Sequence, residues 1–298
     1  MGRAWTTLVA SLPSRAEELR RLDEAVRAPL ALSTRVGVVG VAGGSGCSTV
    51  GGLLASVLSS RRDQRILLVN ASRTARSALW HAGLTTPAPS TPADETARRA
   101  ARRSDAATAG LVQTLGGLYC LDLAAPVPAA DGAGSGSDGE GSAGEADAGV
   151  RPADDSRWWE AVAPAGRFFD FVVTDWGVRD ASTVGRVLSA STAVVVTTPA
   201  DRTSLQRAVD LARTVEEAGV QVLLAVDDVR RERTAALGEM LRLLPVPAVA
   251  LPYDRAHGAA RPVGSHRLRA STTLAALRLA AAVVDVAGRR ADTRGSAA

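Results

Sequence analysis

Residues 36–51 read VGVVGVAGGSGCSTVG, and no other segment constrains the chain as tightly. Val36 to Val41 form an apolar run interrupted only by glycine. Gly43, Gly44 and Gly46 then put three residues without a Cβ into four positions. Val50, Leu53, Leu54, Val57 and Leu58 follow at the spacing that buries one face of a helix. A strand, a tight turn and a helix are thus joined with almost no connecting chain. The glycines leave the main-chain N–H groups of the turn uncovered, and the helix behind them adds the positive end of its dipole. Such a turn is a cradle for an anion. A plain tight turn that holds nothing is the alternative reading.

The segment resembles the strand, loop and helix of a P-loop, whose pattern ends in Gly-Lys-[Ser/Thr]. Gly43, Gly44, Ser45, Gly46, Cys47, Ser48 and Thr49 are the candidate phosphate-binding residues. Ser48 stands where a P-loop hydroxyl ligates Mg²⁺, and Cys47 occupies the lysine position. The missing ammonium is the group that follows charge into the transition state. Losing one such preorganised donor typically costs ~10²–10³ in rate, so turnover should suffer more than binding.

The lysine is missing everywhere: all 35 Lys and Arg positions are Arg. A hydrophobic content of 46% and a charged content of 22% suit an ordinary globular chain. The net charge of +4 is weak support for an anionic partner. Two cysteines, Cys47 and Cys120, give neither a disulfide framework nor zinc spacing. The start, MGRAWTTLVASLPSR, lacks the pattern of a signal peptide, and no uncharged apolar stretch of about 18 residues predicts a membrane span. A cytoplasmic protein is expected.

From residue 35 the pattern alternates between strand and helix. Strand-like runs fall at 36–41, 66–70, 118–123, 170–175, 193–198, 220–226 and 247–251, and helical patterns at 48–60, 156–164, 180–189, 203–218 and 271–288. Several runs are apolar throughout, as strands buried on both faces must be. The expected fold is α/β: a doubly wound, mostly parallel sheet with helices on both faces, spanning 35–290. Residues 1–34 read as an N-terminal extension. Within it Ser14–Arg27 forms an amphipathic helix, with Ser14 and Glu17 at capping-box spacing. Residues 125–155 are rich in Gly, Ala, Ser and acids and lack apolar periodicity, which predicts a disordered acidic insertion. Residues 85–105 read as irregular and 291–298 as a tail.

Val36 to Ser72 resembles the MinD/ParA group of deviant Walker A ATPases, whose loop reads roughly K-G-G-x-G-K-[ST]-T. The two lysines of that pattern fall on Ala42 and Cys47. The D-x-D-like pattern after the first helix falls on Asn70 and Ser72. Four side chains that serve catalysis in the family are therefore altered together. FDFVVTDWG resembles the family's Walker B segment, which implies Asp175, with Ser48, as the Mg²⁺ site; a helix cap or turn residue is the other reading of Asp175. LPYDRAHGAARPVG resembles the I-P-x-D segment beside the base, which implies Pro252 and Tyr253 as nucleotide contacts. Asp227 or Asp228 then replaces the usual Asn of that pocket. The lead-in LDEAVRAPL, the phrase RRDQRILLVNASR and the ending LRASTTLAALRLAAAV are similar to MinD/ParA-like proteins of actinobacterial type VII secretion. The lysine-poor loop is similar to the septum-site and pilus-assembly branches.

The resemblance implies ATP with Mg²⁺ as cofactor, a homodimer, and protein partners in a cell-envelope or secretion apparatus. Three functions compete. The first is a pseudo-ATPase scaffold with weak or absent hydrolysis. The second is a working ATPase that dimerises on ATP, with Arg35 or Arg73 replacing the lost lysines. The third is a nonspecific DNA-binding partition factor using Arg98, Arg99, Arg102 and Arg103, which partly share a helical face, together with Arg230, Arg231 and Arg233. A solvated face is the plainer reading of both clusters.

Other features are open. Cys47 at a helix N-terminus has a setting that lowers a thiol pKa, or is simply a small residue tolerated there. His81, His257 and His266 lie far apart and show no metal spacing. Trp158, Trp159, Phe168, Phe169 and Phe171 crowd one segment, which predicts core packing with at most one exposed Trp as a partner anchor. The C-terminus, rich in Ala, Arg and Gly, lacks the apolar face of an amphipathic membrane helix.

Overall fold

The computed structural model describes residues 2–30, 33–72, 74, 76–84, 91–123, 125–126, 150–151, 155–228, 235–258 and 268–295. Helix α1 (Gly2–Arg27) leads into strand β1 (Thr34–Gly40), the loop, and α2 (Cys47–Arg61). Then come β2 (Ile66–Asn70), α3 (Ala78–His81), α4 (Pro92–Arg99), α5 (Ser104–Ala107), β3 (Val112–Gln113) and β4 (Tyr119–Asp122). Two short strands follow, β5 (Ala125–Pro126) and β6 (Val150–Arg151), then α6 (Asp155–Ala161), α7 (Ala163–Gly166), β7 (Phe171–Val178) and α8 (Gly185–Leu188). The chain ends through β8 (Ala193–Pro199), α9 (Arg202–Glu217), β9 (Gln221–Asp227), α10 (Ala235–Arg242), β10 (Ala248–Leu251), a 3-10 turn (Arg255–Gly258) and α11 (Ala270–Gly295).

Eight strands form one sheet in the order β10-β9-β8-β1-β7-β2-β4-β3. Every pairing is parallel except the edge pair β3–β4. The expected doubly wound, mostly parallel sheet is therefore present. Alternate residues of each strand feed opposite cores, as the period of two requires. Val36 and Val38, Ile66 and Leu68, and Phe171 and Val173 pack with α2 and α11 on one face. Val39, Leu67, Val69, Val172, Val194 and Val196 pack with α6, α7 and α9 on the other.

Some elements differ from the sequence reading. The first helix begins near Gly2, so Ser14 is not a cap. Within 85–105, α4 carries a capping box between Thr91 and Asp94; the Pro/Thr-rich lead-in hides it. Within 180–189 only Gly185–Leu188 is helical, because Asp180 ties Ser182 and Thr183 into a turn first. Most of the insertion, 127–149 and 152–154, lies outside the described residues, as do Arg73, Arg230, Arg231, Arg233 and His266. The insertion's two described ends pair antiparallel as β5 and β6.

Helix α11 is the one described helix long and apolar enough to cross a membrane, over Ala270–Arg289. Arg278 and Asp285 interrupt it, and Leu279, Ala280 and Val283 are buried against the sheet. Leu22 and Val26 of α1 join the same core, and Arg278 pairs with Glu18 across the two helices. Arg62, past the end of α2, donates to the carbonyls of Val26 and Ala28 and forms a buried ion pair with Asp170. One guanidinium thereby ties α1, α2 and the start of β7 together.

Candidate functional site

The glycine loop lies between β1 and α2 at the carboxyl ends of the parallel strands, where open α/β sheets bind ligands. Gly44 and Gly46 have φ of +75° and +82°, the left-handed region that a side chain would strain. An added Cβ at Gly43 or Gly44 would meet nothing within 4 Å, so this part of the loop is open. Ser45 turns the other way. Its Oγ lies 3.1 Å from Thr197 Oγ1 and fills the space beside Gly40. Helix α2 has no side-chain cap. Among the described residues no acceptor engages the N–H of Gly43, Gly44 or Gly46. The strand, glycine turn and helix expected from the sequence are present, and the N–H of Ser45 turns back to the Ala42 carbonyl.

The side chains behind the cradle converge on Asp175, which is fully buried on β7 next to β1. Ser48 Oγ donates to its Oδ2 at 2.7 Å, and Ser72 Oγ lies 3.2 Å from the same oxygen while also reaching Asn70 Oδ1 at 2.8 Å. Oδ1 accepts from Cys47 Sγ at 3.1 Å and from the Gly177 N–H at 3.0 Å. Thr74 Oγ1 lies 3.2 Å from both Ser48 and Ser72. Asn70 completes the group by donating to Asp122 at 2.8 Å. The sequence reading singled out Ser48, Asp175, Cys47, Asn70 and Ser72, and the fold brings all five together. Thr74 carried no signal, because only the loop after β2 aims it here.

Two of the alternatives left open by the sequence do not fit the geometry. The thiol of Cys47 is not activated: burial pushes its pKa well above 9.0, and the charge of and hydrogen bond to Asp175 add to the effect. Its Sγ points under the loop instead of into it, so the positive helix end does not reach it as it would an exposed thiol. Arg35 does not replace a loop lysine either. Its guanidinium lies 5.9 Å and 5.4 Å from the ring centroids of Trp158 and Trp159.

The far side of the loop carries acid. Asp227 ends β9, and its Oδ2 sits only 2.3 Å from where a Cβ on Gly46 would be. Burial, with Asp228 beside it, raises the Asp227 carboxyl from 3.8 to about 7. Both carboxylate oxygens of Asp228 are buried without a hydrogen-bond partner. Leu251 pairs with Asp227, so Pro252 and Tyr253 follow directly beside this acidic pair, both half-buried.

His81 and His257, unrelated in the sequence, have ring centroids 5.8 Å apart. Burial first, then His257 and Arg76, lower the His81 pKa to about 3. Thr49 Oγ1 lies 3.4 Å from His81 Nε2. No spacing rule could have joined residues from α3 and the 3-10 turn. No group of three or more metal-ligating side chains occurs among the described residues.

The first arginine cluster is not one surface face. Arg98 is 1% exposed and donates to the Ala109 carbonyl, while Arg102 and Arg103 lie beyond the end of α4. The aromatic cluster is core, with Trp158 buried and bonded to Thr174; Trp159 is 41% exposed.

No family model matches the chain, and no curated protein sequence matches it. Solved structures do. A ParA family ATPase from Chlorobium tepidum is 17% identical with a TM-score of 0.59, over 83% of this chain and 97% of that one. The septum site-determining protein MinD from Pyrococcus horikoshii, complexed with Mg-ADP, is 16% identical with a TM-score of 0.57, over 86% and 97%. MinD of the Aquifex aeolicus MinC:MinD complex is 13% identical with a TM-score of 0.56, over 83% and 94%. Identities this low establish architecture and nothing finer. The likeness covers nearly the whole of each neighbour, and the chain has the fold of the MinD/ParA P-loop ATPases.

Proposed function

We propose that this chain is a degenerate MinD/ParA-like protein that serves as a localisation or assembly scaffold for a cell-envelope, septum or secretion apparatus, with ATP hydrolysis at or near background. One observation carries the reading: the side chains behind the loop are engaged with one another. Hydrolysis in this architecture needs a cation on the transferred phosphate beside the hydroxyl and carboxylate that hold Mg²⁺. Position 47 supplies a thiol turned to Asp175 in place of that cation. The D-x-D-like positions give Asn70 and Ser72, whose neutral side chains complete the network.

The phosphate site itself fits a nucleotide better than the catalytic apparatus does. The uncovered N–H groups of Gly43, Gly44 and Gly46 would hold phosphate oxygens. Ser48 and Asp175 are hard oxygen donors of the kind Mg²⁺ takes. ATP with Mg²⁺ is therefore the cofactor of this reading, held near Pro252 and Tyr253 at its base. Bound, it would supply a γ-phosphate whose presence distinguishes two states of the chain.

The organisation that goes with this function is a helical extension over 1–34, the nucleotide-fold domain over 35–290, an acidic insertion at 125–155 and a tail at 291–298. Protein partners suit the reading, since the Aquifex neighbour is a MinD in complex with MinC. A homodimer and a cytoplasmic location with recruitment to membrane or septum belong to it, and the type VII secretion likeness of the sequence names one apparatus. Burial of Arg98 weakens the DNA-binding alternative.

Phosphate release from ATP by the purified chain tests the reading. The expected rate is indistinguishable from buffer. Steady release that disappears in Ser48→Ala or Asp175→Ala would sink it. A Cys47→Lys variant is expected to tighten ATP binding more than it restores turnover, and equal gains in both would count against it.

A further inference from the structure

Beta strand β7 does not stop at the network. Gly177 has φ +68°, and an added Cβ there would press on Ser72 at 3.1 Å. This left-handed residue and the register shift between Val38 and Gly40 interrupt the regular pairing of β7 with β1 at the root of the loop. Gly40, the last residue of β1 before the loop, then pairs with Val178. The next N–H, that of Arg179, bonds the Gly40 carbonyl at 3.0 Å. The backbone of Arg179 is thereby pinned to the root of the glycine loop.

The side chain of Arg179 is half-buried, yet among the described residues no carboxylate lies within ion-pair distance of it. Its Nη1 donates to the carbonyl of Val178 at 2.8 Å, which leaves the other guanidinium N–H groups to face an anion. Burial lowers its pKa, and Cys47 and Asp175 oppose that shift, which puts the guanidinium in the field of the residues under the loop. Asp175 and Asp180 favour its charge from a distance, but a half-buried guanidinium without a direct ion pair keeps N–H groups that an anion can take.

We propose that Arg179 is the cation of this phosphate loop: it stands in for the lysines replaced at positions 42 and 47 and, with the main-chain N–H groups of Gly43, Gly44 and Gly46, binds the di- or triphosphate of a nucleotide. This rests on the reading of the loop as a retained phosphate site. A guanidinium presents parallel N–H groups that match phosphate oxygens, so one arginine from a neighbouring strand suffices where the loop itself has no ammonium. It anchors a static phosphate well. It is fixed to β7 and does not ride on the loop, which accords with binding in the absence of turnover.

The test is calorimetric titration of the full chain with Mg-ATP and, separately, with inorganic triphosphate. Both are expected to bind. Arg179→Ala should weaken both by roughly 10- to 100-fold, the range of a hydrogen-bonded charge contact. Arg179→Lys should recover part of the loss, and Arg213→Ala, an exposed position on α9, should leave affinity unchanged. Thermal unfolding of each variant guards against simple misfolding. No binding of either probe by the parent chain, or equal binding by Arg179→Ala, overturns the proposal. The parent reading fails differently: hydrolysis well above background would remove the scaffold function while leaving an Arg179 effect on affinity intact.

Discussion

Asp170 immediately precedes β7 and Asp175 lies in the middle of it, roughly 16 Å further along the strand, and both are buried. They are satisfied in different ways. Asp170 meets Arg62, itself buried, in an ion pair whose guanidinium also holds two main-chain carbonyls. Asp175 meets no cation and is surrounded by a thiol, two hydroxyls and an amide N–H. A third acid, the half-buried Asp227 beside the loop, has no side-chain hydrogen bond among the described residues. The aspartate that joins helices is neutralised by an ion pair. Asp175 and Asp227, beside the glycine loop, have no ion pair among the described residues.

Breaking the ion pair should cost most. Arg62→Met leaves Asp170 buried and uncompensated, and urea unfolding should show a loss of about 3–5 kcal/mol. A loss below about 1 kcal/mol would mean that Asp170 is not committed to this pair.

Asp227→Asn should act in the opposite direction and depend on pH. The carboxyl titrates at about 7 in the fold against 3.8 ordinarily. Well below pH 3.8 both folded and unfolded chains hold the proton, and the fold has its full stability. As pH rises through 3.8 towards 7 the unfolded chain ionises first, so stability falls and then levels off above 7. The Asn variant should therefore unfold at the same urea concentration as the parent at about pH 2.5. At pH 8 it should be more stable by a few kcal/mol. A gain that is equal at both pH values would show that the effect is not ionisation.

Asp175→Asn sharpens the other side of the comparison. The amide turns one acceptor into a donor facing other donors, a mismatch of about 1–3 kcal/mol. A larger loss, like that at Arg62, would erase the distinction between Asp170 and Asp175. The smallest effect concerns Cys47. Iodoacetamide should leave it unlabelled in the native chain and modify it after denaturation, because the thiol is buried and its pKa is raised. Rapid native labelling would mean that the loop opens and that Asp175 loses its thiol donor.

Much of this was legible in the chain. The alternation of VGVVG, ILLVN, FVVTDWG and AVVVTTP with helical patterns predicts a parallel sheet, since only strands covered on both faces are apolar throughout. The glycine spacing located the loop, and the resemblance put Ala42 and Cys47 at its lysine positions. The fate of Arg98, which reads as a surface charge and is a buried clamp on Ala109, was not legible. The same holds for His81 and His257, 176 positions apart in sequence and adjacent in space.

The amino-acid order alone determined which residues could supply main-chain donors and which charges were gone, because backbone freedom at glycine and the identity of a side chain are local properties. Tertiary structure decided where the remaining charges point. Whether Cys47 faces a ligand or Asp175, whether Asp227 leans on Gly46, and where Arg179 meets the loop depend on strand register and on the left-handed backbone at Gly177. These are set by packing between segments more than a hundred residues apart, and no window of sequence contains them.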